Sequence, residues 1–356
     1  MVKRARRVKR EGFKRYEGST ESIAKQIIEG CWDKKSKYFR VSTGHFNEFY
    51  CRDFGMCVEA LIALGHRKRV LQTLDYALSH FQQHGRITTT ISPKGKCFDF
   101  PYYGADSLPF IIHSLKAAKA NDLINRYKSF LKQETDFYFH NVFSSKLNLV
   151  RIDKHFSSMK DQAKRESCCY DNCMLFMLAR DLDSLKLYNP FPKTRIQRTI
   201  LSHFWNGNYF FDDTGFSKVI TGDANTYPFW CGVTDSKEVF TRCMESMEKA
   251  RLTTPFPLKY TGEKRRIHRM HFTDYLSGGY ERNTIWMHLG LCFLDVVKSY
   301  DKARFKKYIN MYRKLIDKYN NFLEVYDAKG RPFSMPFYAA DESMLWVSKY
   351  LVMKDG

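Results

Sequence analysis

The sequence predicts an all-α protein folded as one closed ring of helical hairpins. Three observations carry that expectation. Apolar residues recur with helical spacing almost throughout the 356 residues. The helical stretches alternate in a strict pattern, about twelve helices in about six pairs, and in each pair a long loop rich in Gly, Pro and aromatic residues separates the first helix from the second. The return to the next pair is mostly short, as at Gly65-His66, Lys119-Ala120-Asn121, Thr234-Asp235 and Tyr300-Asp301.

Taken in order, the periodicity predicts pairs at about 20–31 and 51–65, 67–83 and 105–118, 121–141 and 166–181, 192–206 and 224–232, 236–250 and 281–298, and 302–320 and 340–352. Long loops at one end and short ones at the other are expected of a closed toroid, an (α/α)6 barrel, whose long loops gather into one site. An open solenoid also stacks helix pairs, but its repeats share a consensus and short loops. These loops are long, unequal and chemically different from one another. No composition break divides the chain, so residues 19–356 read as a single catalytic domain behind a basic N-terminal arm, residues 1–18.

At 44% hydrophobic and 16% aromatic the chain can bury a sizeable core. No stretch reads as a membrane span, and the basic start lacks the apolar run of a secretory signal. Ten cysteines without such a signal read as reduced thiols, and the expected location is cytoplasmic. The net charge of +21 raises the question of nucleic acid. Lys and Arg are nevertheless spread over the chain and no nucleic-acid motif accompanies them, so solvated helix faces explain most of the charge. Only Lys3 to Arg10 is dense, and it is expected to be a flexible arm able to touch a polyanion.

The first loop, Gly44 to Phe54, carries Arg52 and Asp53, a donor fork beside an acceptor, suited to sugar hydroxyls. Asp53 reads equally as a helix cap. The second loop carries Tyr103 and Asp106. Aromatics stack on the apolar faces of sugar rings, although an Asp cap beside core aromatics is the plainer reading. The third carries Glu166 to Asn172, with Asp171 flanked by Tyr170. A carboxyl packed among aromatic or apolar groups favours its neutral form, as a general acid requires. Cys169 and Cys173 share a helix face, but without a nearby histidine they read as packing.

The fourth loop, Thr221 to Trp230, offers Asn225 and Trp230. The fifth, Tyr275 to Trp286, includes Ser277-Gly278-Gly279-Tyr280, where paired glycines let backbone approach a ligand, and Trp286 as a stacking wall. The sixth carries Glu324, the candidate base, and leads to Glu342, a rival carboxylate at a helix start.

At these residues the chain resembles the six-hairpin glycosidases. It is nearest to trehalases and the processing α-glucosidase and mannosylglycerate hydrolase group, with glycogen-debranching glucosidases and neutral invertases further off. Phe46-Asn47-Glu48-Phe49-Tyr50-Cys51-Arg52-Asp53 is similar to the trehalase segment Arg-Phe-x-Glu-x-Tyr-Tyr-Trp-Asp, which implies substrate binding by Asp53. Glu166 to Asp171 resembles Glu-Ser-Gly-Trp-Asp, with one extra residue and Cys-Cys-Tyr in place of Gly-Trp, and implies an acid at Asp171. Phe322 to Asp327 resembles Glu-Lys-Tyr-Asp and implies a base at Glu324. The resemblance implies an inverting hydrolase of an α-linked glucoside-type sugar, with no metal or organic cofactor and a carbohydrate as its partner. A carbohydrate-binding or regulatory protein on the same barrel and a glycoside phosphorylase or lyase stay open. So, on charge alone, does a nucleic-acid-associated protein.

Overall fold

The computed structural model describes residues 2–265, 267–272, 274 and 278–354; Tyr275 and Ser277 of the fifth loop lie outside them. Among the described residues the first helix, α1 (Val2–Glu11), stands apart from the ring. The ring follows as α2 (Thr20–Cys31), α3 (Cys51–Ala63), α4 (Arg67–His84), α5 (Ser107–Ala117), α6 (Asn121–Arg126), α7 (Lys128–Asn141), α8 (Cys169–Ser184), α9 (Lys193–Phe204), α10 (Tyr227–Trp230), α11 (Lys237–Lys249), α12 (Met287–Tyr300), α13 (Lys302–Tyr319) and α14 (Val347–Met353).

Local chemistry sets the helix ends. Ser19 caps α2 and Ser236 caps α11 through their hydroxyls, and Asp301 caps α13 by accepting from the Arg304 N–H at 2.9 Å. Gly85 ends α4 at φ 85°, a left-handed conformation that costs glycine little.

The second helix of each hairpin forms the inner ring. α3 touches α5, α5 touches α8, α8 touches α10, α10 touches α12, α12 touches α14, and α14 returns to α3. That last contact closes the toroid. The inner helices are apolar nearly all round: every residue of α5 from Ser107 to Leu115 is buried. The outer helices bury one stripe, as in α13, where Phe305, Tyr308, Ile309, Tyr312 and Ile316 face inward. Gly55 lies where α3 meets α5, and a Cβ there would collide with the Phe110 ring.

The two-residue strands are confined to the loops. They form hairpins such as β1 (Trp32–Asp33) with β2 (Tyr38–Phe39), and they also tie one loop to another. β3 (Phe49–Tyr50) of the first loop pairs with β4 (Thr90–Ile91) of the second, and β4 with β5 (Cys97–Phe98). β6 (Phe143–Ser144) and β7 (Leu149–Val150) open the third loop. β8 (Ala163–Lys164), also in the third, pairs with β9 (Arg269–Met270) of the fifth. β10 (Ile285–Trp286) of the fifth pairs with β11 (Val325–Tyr326) of the sixth. β12 (Ser334–Met335) and β13 (Tyr338–Ala339) complete the sixth. The loops therefore form a connected floor at one end of the ring.

Sequence expectations change in several places: the helix expected at about 121–141 breaks at Tyr127 into α6 and α7, and those expected from about 281 and 340 begin at Met287 and Val347. The expected helix at about 224–232 is one turn, Tyr227–Trp230, with Pro228 in its first turn. The basic N-terminal segment is helical from Val2 to Glu11, and it docks on β13 rather than extending as a free arm. No described helix is long and apolar enough to cross a membrane.

Candidate functional site

At the loop end lies a cavity of about 440 Å³. Its walls are largely apolar and aromatic, among them Phe46, Tyr50, Tyr260, Trp286 and Trp346. Into it come five carboxylates, Asp53, Asp106, Asp161, Glu281 and Glu324, and a single Arg or Lys among the described residues, Arg52.

Arg52 begins α3 and ties three loops together. Its Nε donates to Asp106 Oδ2 at 2.5 Å, and its Nη atoms donate to Asp161 at 3.1 and 3.3 Å. Asp106 also accepts from the Tyr170 hydroxyl at 2.7 Å. Asp53 accepts from Trp346 Nε1 at 2.9 Å, and burial lifts its pKa to about 6. Trp286 is held as a wall by its indole N–H, which donates to the Tyr280 carbonyl at 3.1 Å.

Glu324 is 2% exposed and precedes β11 directly. Its Oε2 accepts from the Tyr338 hydroxyl and from the Asp341 N–H, the latter at 2.7 Å. Burial raises its pKa to about 7, with the nearby Asp341 charge also raising it and His45 opposing. Asp341 is fully buried and held well below the usual carboxylate range. Burial opposes this, but hydrogen bonding and charge from His45, with Arg4 and Ser42, outweigh it. The backbone N–H groups of His45 and Phe46 wrap Asp341 at 3.0 Å. Gly44 permits that approach, since a Cβ there would strike the carboxylate.

Asp161 of the third loop and Glu281 of the fifth line the same cavity. Both Glu281 oxygens accept from the Gln162 N–H, at 2.9 and 3.2 Å. Burial first, then the Asp161 charge, raise the Glu281 pKa to about 8. Asp161 is also raised by burial, with Arg52 opposing.

A buried ionic cluster fixes this stretch. Lys160 lies 3.0 Å from Asp212 and 3.5 Å from Asp223, and Arg165 lies 3.0 and 2.7 Å from the same two carboxylates. His268 Nε2 adds a 2.6 Å contact to Asp212. Lys160 and Arg165 flank Asp161 in sequence, so the cluster anchors the backbone that presents it.

Of the residues expected from sequence, Arg52, Asp53, Asp106, Trp286 and Glu324 line this cavity, whereas Asp171, Tyr103, Asn225, Trp230 and Glu342 do not. Asp171 falls in the first turn of α8, 4% exposed, with Oδ1 buried and unpartnered. It is the preceding residue, Tyr170, that reaches the cavity's Asp106. Burial lifts the Asp171 pKa to about 7. Tyr103 turns its ring to Phe137 and Phe156. Asn225 bridges backbone at Phe210 and Thr221. Trp230 lies at the far end of the ring, donating to Asp295 at 3.2 Å, because the single turn of α10 carries it away from the loops. Glu342 pairs with Arg4 and Arg7 of α1.

Sequence reasoning missed Asp161, Glu281 and His288. Asp161 lies in a polar stretch with no aromatic flank. Glu281 follows Tyr280 in the motif already noted, the only signal that could have marked it. His288 begins α12, where burial lowers its pKa to about 3. Among the described residues no group of His, Cys, Asp and Glu is arranged to hold a metal ion. All ten cysteines are buried and free.

No protein-family model and no curated protein matches this sequence. Solved structures do resemble it in fold. A GH63 mannosylglycerate hydrolase from Thermus thermophilus, in complex with Tris and D-glycerate, aligns over 95% of this chain and 100% of its own, with a TM-score of 0.64 and 11% identity. A metal-independent α-mannosidase from Streptococcus pneumoniae aligns over 98% and 95%, with a TM-score of 0.59 and 11% identity. A bacterial glucoamylase complexed with acarbose aligns over 98% of this chain and 56% of its own, with a TM-score of 0.63 and 13% identity. The fold is the (α/α)6 barrel. At such identities the likeness speaks to the fold alone.

Proposed function

We propose that this protein is a glycoside hydrolase that cleaves a short, neutral, α-linked glycoside by an inverting mechanism. The observation that carries the reading is the cavity itself: carboxylates with raised pKa values on separate loops, set among aromatic walls on a barrel shared with carbohydrate-cleaving proteins. In this reading Glu324 takes a proton from the attacking water. Its Oε2 is held by Tyr338 and Asp341, which leaves Oε1 for the cavity.

The proton for the leaving oxygen comes from the Asp161–Glu281 pair, in place of the Asp171 expected from sequence. Two features support the change: both carboxyls line the cavity while Asp171 does not, and burial raises the pKa of Glu281 to about 8. Arg52, Asp53 and Asp106 hold ring hydroxyls, and Trp286 and Trp346 supply stacking faces. An inverting pair would hold the carboxyls about 6.5–9.5 Å apart, with a water between base and sugar.

Charge narrows the substrate. Five carboxylates against Arg52 disfavour an acidic sugar or aglycone, and also phosphate as the attacking group. Arg52 is already engaged by Asp106 and Asp161. Hydrolysis is therefore favoured over phosphorolysis.

The test is incubation with trehalose, maltose, sucrose, mannosylglycerate and short α-glucans, following by NMR the anomer first formed. Release of an inverted anomer from a neutral member is expected. A retained anomer would overturn the mechanism, and preference for mannosylglycerate would overturn the charge argument. Tight binding of a sugar without turnover would instead mark a binding protein.

A further inference from the structure

Helix α1 contributes its first residue, Val2, to the lining of the cavity. Phe337 lines it too, while Ala5 and Val8, on the same helix, are buried against Ala339 and Phe13. Arg4 clamps the helix to the sixth loop. Its Nη1 donates to the Ala339 carbonyl and its Nη2 to the Ala340 carbonyl, each at 3.0 Å, and Nη2 lies 3.2 Å from Asp341 Oδ1. Arg7 adds a 2.7 Å pair to Glu342, which also accepts the Lys14 N–H at 2.6 Å. The clamped segment, 338–342, is the one that holds Glu324 through Tyr338 and the Asp341 N–H.

We propose that α1 is the specificity-determining wall of the site: docked on the sixth loop, it makes the site a pocket for a short glycoside and bars longer glycans. The inference rests on the glycosidase reading above. A ten-residue helix is marginal alone in water. The Arg4 and Arg7 contacts and the burial of Ala5 and Val8, rather than helix propensity, hold it against the sixth loop. The dense N-terminal charge thereby has an intramolecular partner in Asp341 and Glu342.

The test compares the full chain, a chain lacking residues 2–11, and two full-length variants, Arg4→Ala with Arg7→Ala, and Val2→Trp. Each is given disaccharide, trisaccharide and tetrasaccharide of the linkage cleaved by the full chain. The full chain should favour the disaccharide at least tenfold over the tetrasaccharide in kcat/KM. Truncation or loss of both arginines should bring that ratio within threefold of one, chiefly by lowering KM for the longer sugars. Val2→Trp should raise KM for every member. A ratio unchanged in the double variant, with circular dichroism and Tm showing a folded protein, overturns the wall even though cleavage proceeds. If the full chain cleaves nothing, the glycosidase reading has failed, and calorimetric binding of the same series decides the wall. Length selectivity that survives loss of the arginines overturns it, and so does binding of no member by either protein.

Discussion

The two ends of the ring differ in how some of their carboxylates are partnered. At the far end a second cavity is lined by the later turns of the inner helices, with His113, Lys116, Arg180 and Lys349 among its residues. There, carboxylates are matched by cations. Asp181 is contacted by His113 at 2.9 Å, Lys116 at 2.7 Å and Arg180 at 2.8 Å, and Asp295 by Lys349. Asp181 is accordingly held well below the usual carboxylate range: burial opposes the shift, but those three hydrogen bonds outweigh it. At the loop end the half-buried Asp53 and the buried Glu281 and Glu324 have no cation in direct contact among the described residues, and their pKa values rise. The far-end carboxylates are neutralised by partners, whereas these three at the loop end are strained by burial, as the proposed proton transfers would require.

The comparison breaks most sharply on rates. Glu324→Gln should lower kcat by roughly 10²–10⁴-fold, measured on whichever neutral glycoside is cleaved. Asp161→Asn or Glu281→Gln should each cost on the order of 10²-fold, while Asp171→Asn should stay within about tenfold. A large loss in Asp171→Asn with activity kept in the other two would return the acid to α8.

The pH profile sharpens the same contrast. As the proposed base Glu324 must be deprotonated, so kcat/KM should fall as pH drops below about 7. As the proposed proton donor Glu281 must be protonated, so the rate should fall above about 8. The bell should be narrow, and Glu281→Gln should move its basic limb. An acidic limb near the ordinary Glu pKa would remove Glu324 from the role of base.

Stability should separate the ends in the opposite direction. Asp181→Asn should destabilise by about 1–3 kcal/mol in chemical denaturation, with kcat changed less than about threefold. Glu324→Gln should stabilise. The folded-state pKa of Glu324 lies above its unfolded value, so the wild-type side chain loses stability as pH rises from about 4.5 through about 7. Removing the titration should gain on the order of 3 kcal/mol at pH 8, and almost nothing at pH 4. Equal stability of the two proteins at pH 8 would mean that Glu324 is not under that strain.

Helical period, short returns and loop composition made the ring legible in the sequence. Spacing alone bounds α2, α4 and α13 to within a residue or two, because amphipathic stripes and caps are local properties. Arg52, Asp53 and Glu324 were legible for the same reason: each sits where a loop of unusual chemistry meets regular structure. Asp161 and Glu281 were not. Their meaning comes from a meeting of the third and fifth loops through β8 and β9, and no spacing rule encodes that pairing. Trp230 and Asn225 looked like site residues because they share a loop rich in aromatics, yet one turn of helix and a backbone bridge turn them elsewhere. The basic N-terminus shows the same division. Its charge is a property of composition, but its partners Asp341 and Glu342 lie more than three hundred residues away in the chain. Only closure of the ring brings the two together, since a carboxylate's partner and pKa depend on what folding buries beside it.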